Sequence, residues 1–223
     1  MKIKIYTTPM IPSKGITPLM IERQFVWRNT GHYDGEAEIG IADMQEPIWW
    51  NRPLHSDTLV KQEPDGLYSY NLPFIGGADV YKTGYNMLLP KNSIPIAGMI
   101  RINGKWTDAE RNVLKTLMSK AVYNALIALG VDSKKLTVVH NDILFNGKKF
   151  MGTEEKAQGL WYSINTIITL QYAPEKEIFD RLTGEYAQAR GITGIIEETN
   201  LFTKSEFMNM LVSKIQELLD PLP

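Results

Sequence analysis

The side chains best equipped for chemistry in this 223-residue chain are gathered between Asn141 and Gly152, which read Asn-Asp-Ile-Leu-Phe-Asn-Gly-Lys-Lys-Phe-Met-Gly. Asn141 and Asp142 bring an amide and a carboxylate, Lys148 and Lys149 two ammonium groups, and Gly152 a backbone without a side chain. An Asn-Gly pair between alternating apolar residues is a strong hairpin signal. With Asn146 and Gly147 as the turn, Phe145 falls opposite Lys148, Leu144 opposite Lys149 and Asp142 opposite Met151. Alternation then puts Asp142, Leu144, Lys149 and Met151 on one face, and Ile143, Phe145, Lys148 and Phe150 on the other. Lys149 is thereby aimed to the side of Asp142, whose carboxylate holds it in one orientation. Gly152 lets a ligand approach the backbone just beyond the lysine. The same pattern also suits a plain edge hairpin whose lysines guard against aggregation.

A second candidate is Phe74-Ile75-Gly76-Gly77-Ala78-Asp79-Val80-Tyr81. Backbone N–H groups at Gly76, Gly77 and Ala78 are free to face a phosphate or carboxylate. A glycine pair between strands equally makes a turn or bulge. No helical pattern follows it, so it is not the strand-to-helix nucleotide fingerprint. His32, His55 and His140 show no ligand spacing, and no metal site is expected. Cysteine is absent, which excludes disulfides, thiolate metal sites and thiol nucleophiles. The serines form no nucleophile elbow. Glu154-Glu155 and Glu197-Glu198 read as solvated surface pairs.

These residues need a scaffold. Residues 2–7 alternate like a strand, and Thr17 to Trp27 fits a short helix. From about 31 to 105 short apolar runs stand between turn residues, at Gly40–Ala42, Ile48–Trp50, Thr58–Lys61, Leu67–Tyr70, Val80–Tyr81, Asn86–Leu89 and Ala97–Ile102. A capping box, Thr107 with Glu110, opens a helix running to Leu129, with Gly130 as its stop. Strands are expected at Leu136–Val139, in the hairpin and at Tyr162–Gln171, and a short helix at Glu175–Arg181. A second capping box, Thr203 with Glu206, starts the last helix. The pattern predicts an α+β fold, a mainly antiparallel β-sheet backed by helices. With 43% apolar residues, one sizeable core and one domain over 1–223 are expected. Net charge is −1 with the signs mixed, which argues against nucleic acid as a partner. No apolar run reaches membrane-spanning length and no signal peptide is apparent, so a cytoplasmic protein without a membrane partner is expected.

The two candidate segments, taken in order with the helix between them, resemble the biotin/lipoate protein ligase superfamily. The resemblance is greatest to its lipoate–protein ligase A branch, and covers roughly residues 70–219. It rests on the glycine stretch Phe74–Tyr81, the helix ending Asn124-Ala125-Leu126-Ile127-Ala128-Leu129-Gly130-Val131, the Asn141-Asp142 pair and Lys149-Phe150-Met151-Gly152-Thr153. Gly159-Leu160-Trp161-Tyr162 and the closing Gly191-Ile192-Thr193-Gly194-Ile195 and Thr199-Asn200-Leu201 extend it. The resemblance implies a class II synthetase-like ligase domain without a C-terminal accessory domain. It implies ATP and Mg²⁺ as cofactors and lipoate or a related acyl acid as the small-molecule substrate. A lipoyl domain or other acyl-carrier protein would be the partner. Lys149 would be the catalytic residue. Gly76, Gly77, Ala78, Asn141, Asp142, Gly152 and Thr153 would contact substrate. The arginines and serine that family members place before the glycines are replaced by Asn71, Leu72, Pro73, Phe74 and Ile75, and the family histidine by Tyr81. A catalytically silent relative binding a small acid or a protein, or a biotin-type ligase, are the alternatives. The octanoyl-transfer branch relies on a cysteine that this chain lacks.

Overall fold

A computed structural model describes residues 3–11, 37–45, 48–51, 74–76, 87–101, 107–158, 160–172 and 193–222. Ten strands and four α-helices are seen among them. In chain order they are β1 Lys4–Met10, β2 Glu38–Met44, β3 Ile48–Asn51, β4 Phe74–Gly76, β5 Met87–Leu89 and β6 Ser93–Arg101. There follow helices α1 Asp108–Lys115 and α2 Leu117–Ala128, and strands β7 Leu136–Val139, β8 Asp142–Phe145, β9 Lys148–Gln158 and β10 Trp161–Thr169. The short α3 Ile195–Thr199 and the long α4 Lys204–Leu219 close the chain. Seven strands form one sheet in the order β1-β2-β6-β10-β9-β8-β7, and β4-β3-β5 form a smaller one. Every pairing in the large sheet is antiparallel except β1 with β2. The expected α+β class, a mainly antiparallel sheet with helices, is the one observed. The expected elements at 17–27, 58–61, 67–70, 80–81 and 175–181 lie outside the described residues.

The helices bury apolar stripes on one face of the large sheet. Leu114, Leu117, Met118, Ala121, Val122 and Ala125 meet Phe207, Leu211, Ile215 and Leu219 of α4 and Ile94, Ile164, Ile168 and Phe145 of the sheet in one core. Each of these side chains larger than alanine contributes about 1.5–3 kcal/mol by leaving water. Both capping boxes are present: Thr107 caps Glu110, and Thr203 caps Glu206, with each glutamate returning a bond to the cap backbone N–H. The expected single helix from Thr107 to Leu129 is instead broken at Thr116, whose φ is −120°. Its hydroxyl donates to the Asn112 carbonyl at 3.1 Å, the local competition with helix bonding to which threonine is prone. No described helix is long and apolar enough to cross a membrane.

The hairpin forms as its sequence dictates. Asn146 and Gly147 take φ of 48° and 80°, the left-handed pair that a tight turn requires. Phe145 pairs with Lys148 and Leu144 with Lys149. Beyond that the register shifts: Ile143, and not Asp142, stands opposite Met151. Phe150 is the extra residue of a β-bulge, which places two successive side chains on one side. Phe150 and Met151 are accordingly both buried in the helix-side core. The expected placement of Met151 beside Lys149 is thus corrected. Gly152 takes that position.

Candidate active site

The bulge builds the site. With Phe150 and Met151 both turned inward, Lys149 and Gly152 emerge on the same outer face of β9, and β8 brings Asp142 beside them. Lys149 Nζ lies 2.6 Å from Asp142 Oδ2, both side chains about 30% exposed. A Cβ built on Gly152 would stand 3.1 Å from both Cε and Nζ of Lys149 and 3.5 Å from Asp142 Oδ1. The glycine is therefore the floor under the ammonium. A lysine ammonium has three donors. Among the described residues Asp142 engages one of them, which leaves the others for an incoming anion.

The remaining predicted residues are dispersed. Asn141, next to Asp142 in sequence, turns the other way: its Nδ2 donates to Glu155 Oε2 at 3.3 Å. Thr153 also leaves the lysine face, sharing a 3.0 Å hydrogen bond with the buried Thr166 hydroxyl. Gly76 ends β4, beside Asn51 of β3. Gly77 and Ala78 lie outside the described residues. The structure thus brings together Lys149, Asp142 and Gly152, and draws Asn141 and Thr153 into bonds on the opposite side of the sheet.

Three features escaped the sequence reading. Asn165 of β10 pairs with Glu154 of β9, two rows from the Gly152–Ile167 pair and so on the same face. Its Nδ2 is buried with no hydrogen-bond partner among the described residues. A lone asparagine in an Ile- and Thr-rich strand was the signal. Next, Glu155 is not a solvated surface residue. Its Oε2 accepts from Tyr162 Oη as well as Asn141, while Oε1 is buried with no partner among the described residues. Burial lifts its carboxyl to about 7, against the downward pull of the Tyr162 bond. Burial, with the Glu155 bond and charge adding to it, pushes the Tyr162 phenol up as well.

Glu197 and Glu198 are also engaged. Glu197 Oε1 accepts the Tyr172 N–H at 2.8 Å. Glu198 Oε1 accepts from Thr193 Oγ1 at 2.7 Å and from Lys148 Nζ at 3.0 Å. Those two bonds, the threonine's first, hold the Glu198 carboxyl below its usual range. Among the described residues no group of three or more histidine, aspartate or glutamate side chains is placed to hold a metal. A separate open cleft of about 410 Å³ lies between β1, β2 and the start of α4, where Lys204 is paired with Asp43, and shares no residue with the hairpin.

No protein-family model and no curated protein sequence matches the chain. Solved structures do. A lipoate–protein ligase A bound with ATP superposes over 98% of this chain and 85% of its own, with a TM-score of 0.61 at 12% identity. A bi-partite lipoate protein ligase from Thermoplasma acidophilum, described with its E2 lipoyl domain, gives 0.59 at 12% identity, covering 98% and 83%. The biotin protein ligase of Leishmania major in complex with biotinyl-5-AMP gives 0.54 at 16% identity, covering 98% and 75%. With its mainly antiparallel seven-stranded sheet and helix-side core, the chain has the fold of the biotin/lipoate protein ligase superfamily.

Proposed function

We propose that the chain is a lipoate–protein ligase-like enzyme. Its substrates would be ATP and lipoate or a related acyl acid. In the first step a carboxylate oxygen of the acid attacks the α-phosphorus of ATP, pyrophosphate leaves, and an acyl-adenylate forms. In the second, the amine of a carrier-protein lysine attacks the acyl carbonyl, AMP leaves and an amide is made. The observation that carries this reading is the Lys149 ammonium, held by Asp142 over the bare backbone of Gly152. Its remaining donors suit the acid's carboxylate and then the bridging acyl-phosphate oxygens. Charge builds on those oxygens in both steps, and an ammonium fixed in advance stabilises it without reorganising. The unpartnered Asn165 amide on the same face is a ready donor to the nucleotide portion. Gly76, Gly77 and Ala78 are assigned to the acid's carboxyl end or the phosphates. Mg²⁺ would enter with the ATP phosphates, and Asp142 offers the oxygen chemistry that it favours. On this reading the protein would work in the cytoplasm, with an acyl-carrier domain as partner.

The test is direct. The protein is incubated with ATP, Mg²⁺ and lipoate, octanoate or biotin in turn; pyrophosphate is measured and the adenylate sought by mass spectrometry. One acid is expected to give product, and Lys149→Ala to lower the rate about 10²–10³-fold. Absence of product with every acid would sink the reading. A second reading, a silent relative that binds a small acid, is favoured by one observation: residues 71–75 carry no arginine, and bidentate cationic contacts to phosphate are not readily replaced. Saturable binding of an acid without pyrophosphate release would select it.

A further inference from the structure

At Met151 the strand β9 is paired on both sides, with β8 and β10. At Lys149, two residues earlier, β10 has ended. Thr193 takes its place: its backbone N–H donates to the Lys149 carbonyl at 3.0 Å. Thr193 is 5% exposed, and its hydroxyl donates to Glu198 Oε1 at 2.7 Å, the oxygen that also accepts Lys148 Nζ at 3.0 Å. A ring closes: Lys149 carbonyl, Thr193 backbone, Thr193 hydroxyl, Glu198 carboxylate, Lys148, and one peptide bond back to Lys149. The segment that supplies Thr193 and Glu198 is fixed independently to the far end of β10. The Ile196 N–H donates to the Leu170 carbonyl at 2.9 Å, the Tyr172 N–H to Glu197 at 2.8 Å, and Gly194 lies against the Gln171 backbone.

We propose that Thr193 and Glu198 are positioning residues for Lys149, bracing the stretch of β9 that carries it on the side where β10 has ended. The functional weight of this assignment rests on the ligase reading; the geometry of the brace does not. Lys149 meets Asp142 on one side and Gly152 beneath, so a small displacement of its backbone moves the ammonium off both. Misplacement of this kind costs rate steeply.

The full chain, labelled with ¹⁵N-lysine, is examined by NMR near pH 6 and low temperature, with the Lys149 ammonium signal assigned through Lys149→Arg. In the wild type that signal is expected to be shifted from those of exposed lysines by its Asp142 partner. Glu198→Ala and Thr193→Val are expected to move it towards the exposed-lysine position. Glu198→Gln, whose amide oxygen still accepts both donors, is expected to restore it. If Glu198→Ala fails to fold, Lys148→Met opens the same ring at an exposed residue and is read in the same way. A Lys149 signal unmoved in the folded variants, with only the melting temperature lowered, would show a purely structural contact and overturn the proposal. Where the wild type makes adenylate, Glu198→Ala should slow it about tenfold. A wild type inert towards every acid defeats the ligase reading, while the NMR signal still decides the brace.

Discussion

Gly152 sets the room available to Lys149. The atoms nearest to a methyl group there are the flexible end of Lys149 and the Asp142 carboxylate, so Gly152→Ala should leave stability within about 1 kcal/mol of wild type. The ammonium must nevertheless give by a few tenths of an ångström from its place between Asp142 and the strand. On the proposed ligase reading, adenylate formation should then fall about tenfold or more, and an unchanged rate alongside an unchanged melting temperature would refute the floor role. Glu155 invites a different experiment. Its folded-state pKa, about 7, lies above the ordinary 4.5, so the native state binds the proton more tightly than the unfolded chain. Stability from this group is complete below about pH 4.5 and is lost as pH rises through about 7. Glu155→Gln keeps an oxygen for Tyr162 and Asn141 and has no charge to desolvate. Urea denaturation should show the variant more stable at pH 8 by on the order of 1 kcal/mol, allowing for solvent screening of a part-exposed carboxyl, and level with wild type near pH 4.5. A parallel pH dependence in the two proteins would count against the assignment.

Among the elements, the segment from Thr193 to Thr199 depends on one glycine. A Cβ on Gly194 would lie 2.6 Å from Gln171 Cα and from the Leu170 carbonyl oxygen, a collision with backbone that no rotamer relieves. Gly194→Ala should destabilise by about 3 kcal/mol, measured by chemical denaturation; a loss under about 1 kcal/mol would mean that the segment can shift without cost. Sequence alone showed the elements whose signals are local. Both capping boxes, the Asn146-Gly147 turn and the pairing of Leu144 with Lys149 follow from neighbouring residues, and all are present. What could not be read depended on distant partners or on one hydroxyl's choice. The bulge at Phe150 answers to core packing against Ile143, the break at Thr116 to a back-bond with Asn112, and the burial of Glu155 to Tyr162 on the next strand. For the same reason Lys149 was separable from Lys148 in advance and Asp142 could be set beside it, while the bond from Asn141 to Glu155 could not be foreseen.

At the scale of the molecule, the fold persists in ligases of 12–16% identity, which fits a core specified by apolar pattern more than by particular residues. Strands β6 and β10 lie inside the sheet and β7 at its edge, where Val138 is 46% exposed. Amide exchange should follow that layout: the Ile164 N–H is expected to exchange orders of magnitude more slowly than that of Val138, which alternation turns away from β8. Equal protection would show that something covers the β7 edge. The whole arrangement, finally, hangs on parity. A lysine and a glycine three positions apart fall on opposite sides of a regular strand, and only the surplus residue at Phe150 reconciles them. Ironing out the bulge while keeping Phe150 would leave a hairpin of regular pairing, yet would send Gly152 inward and Met151 up beneath the ammonium. In this scaffold the interval from Lys149 to Gly152 is counted together with its bulge, and losing the bulge alone would take apart the candidate site without unfolding the chain.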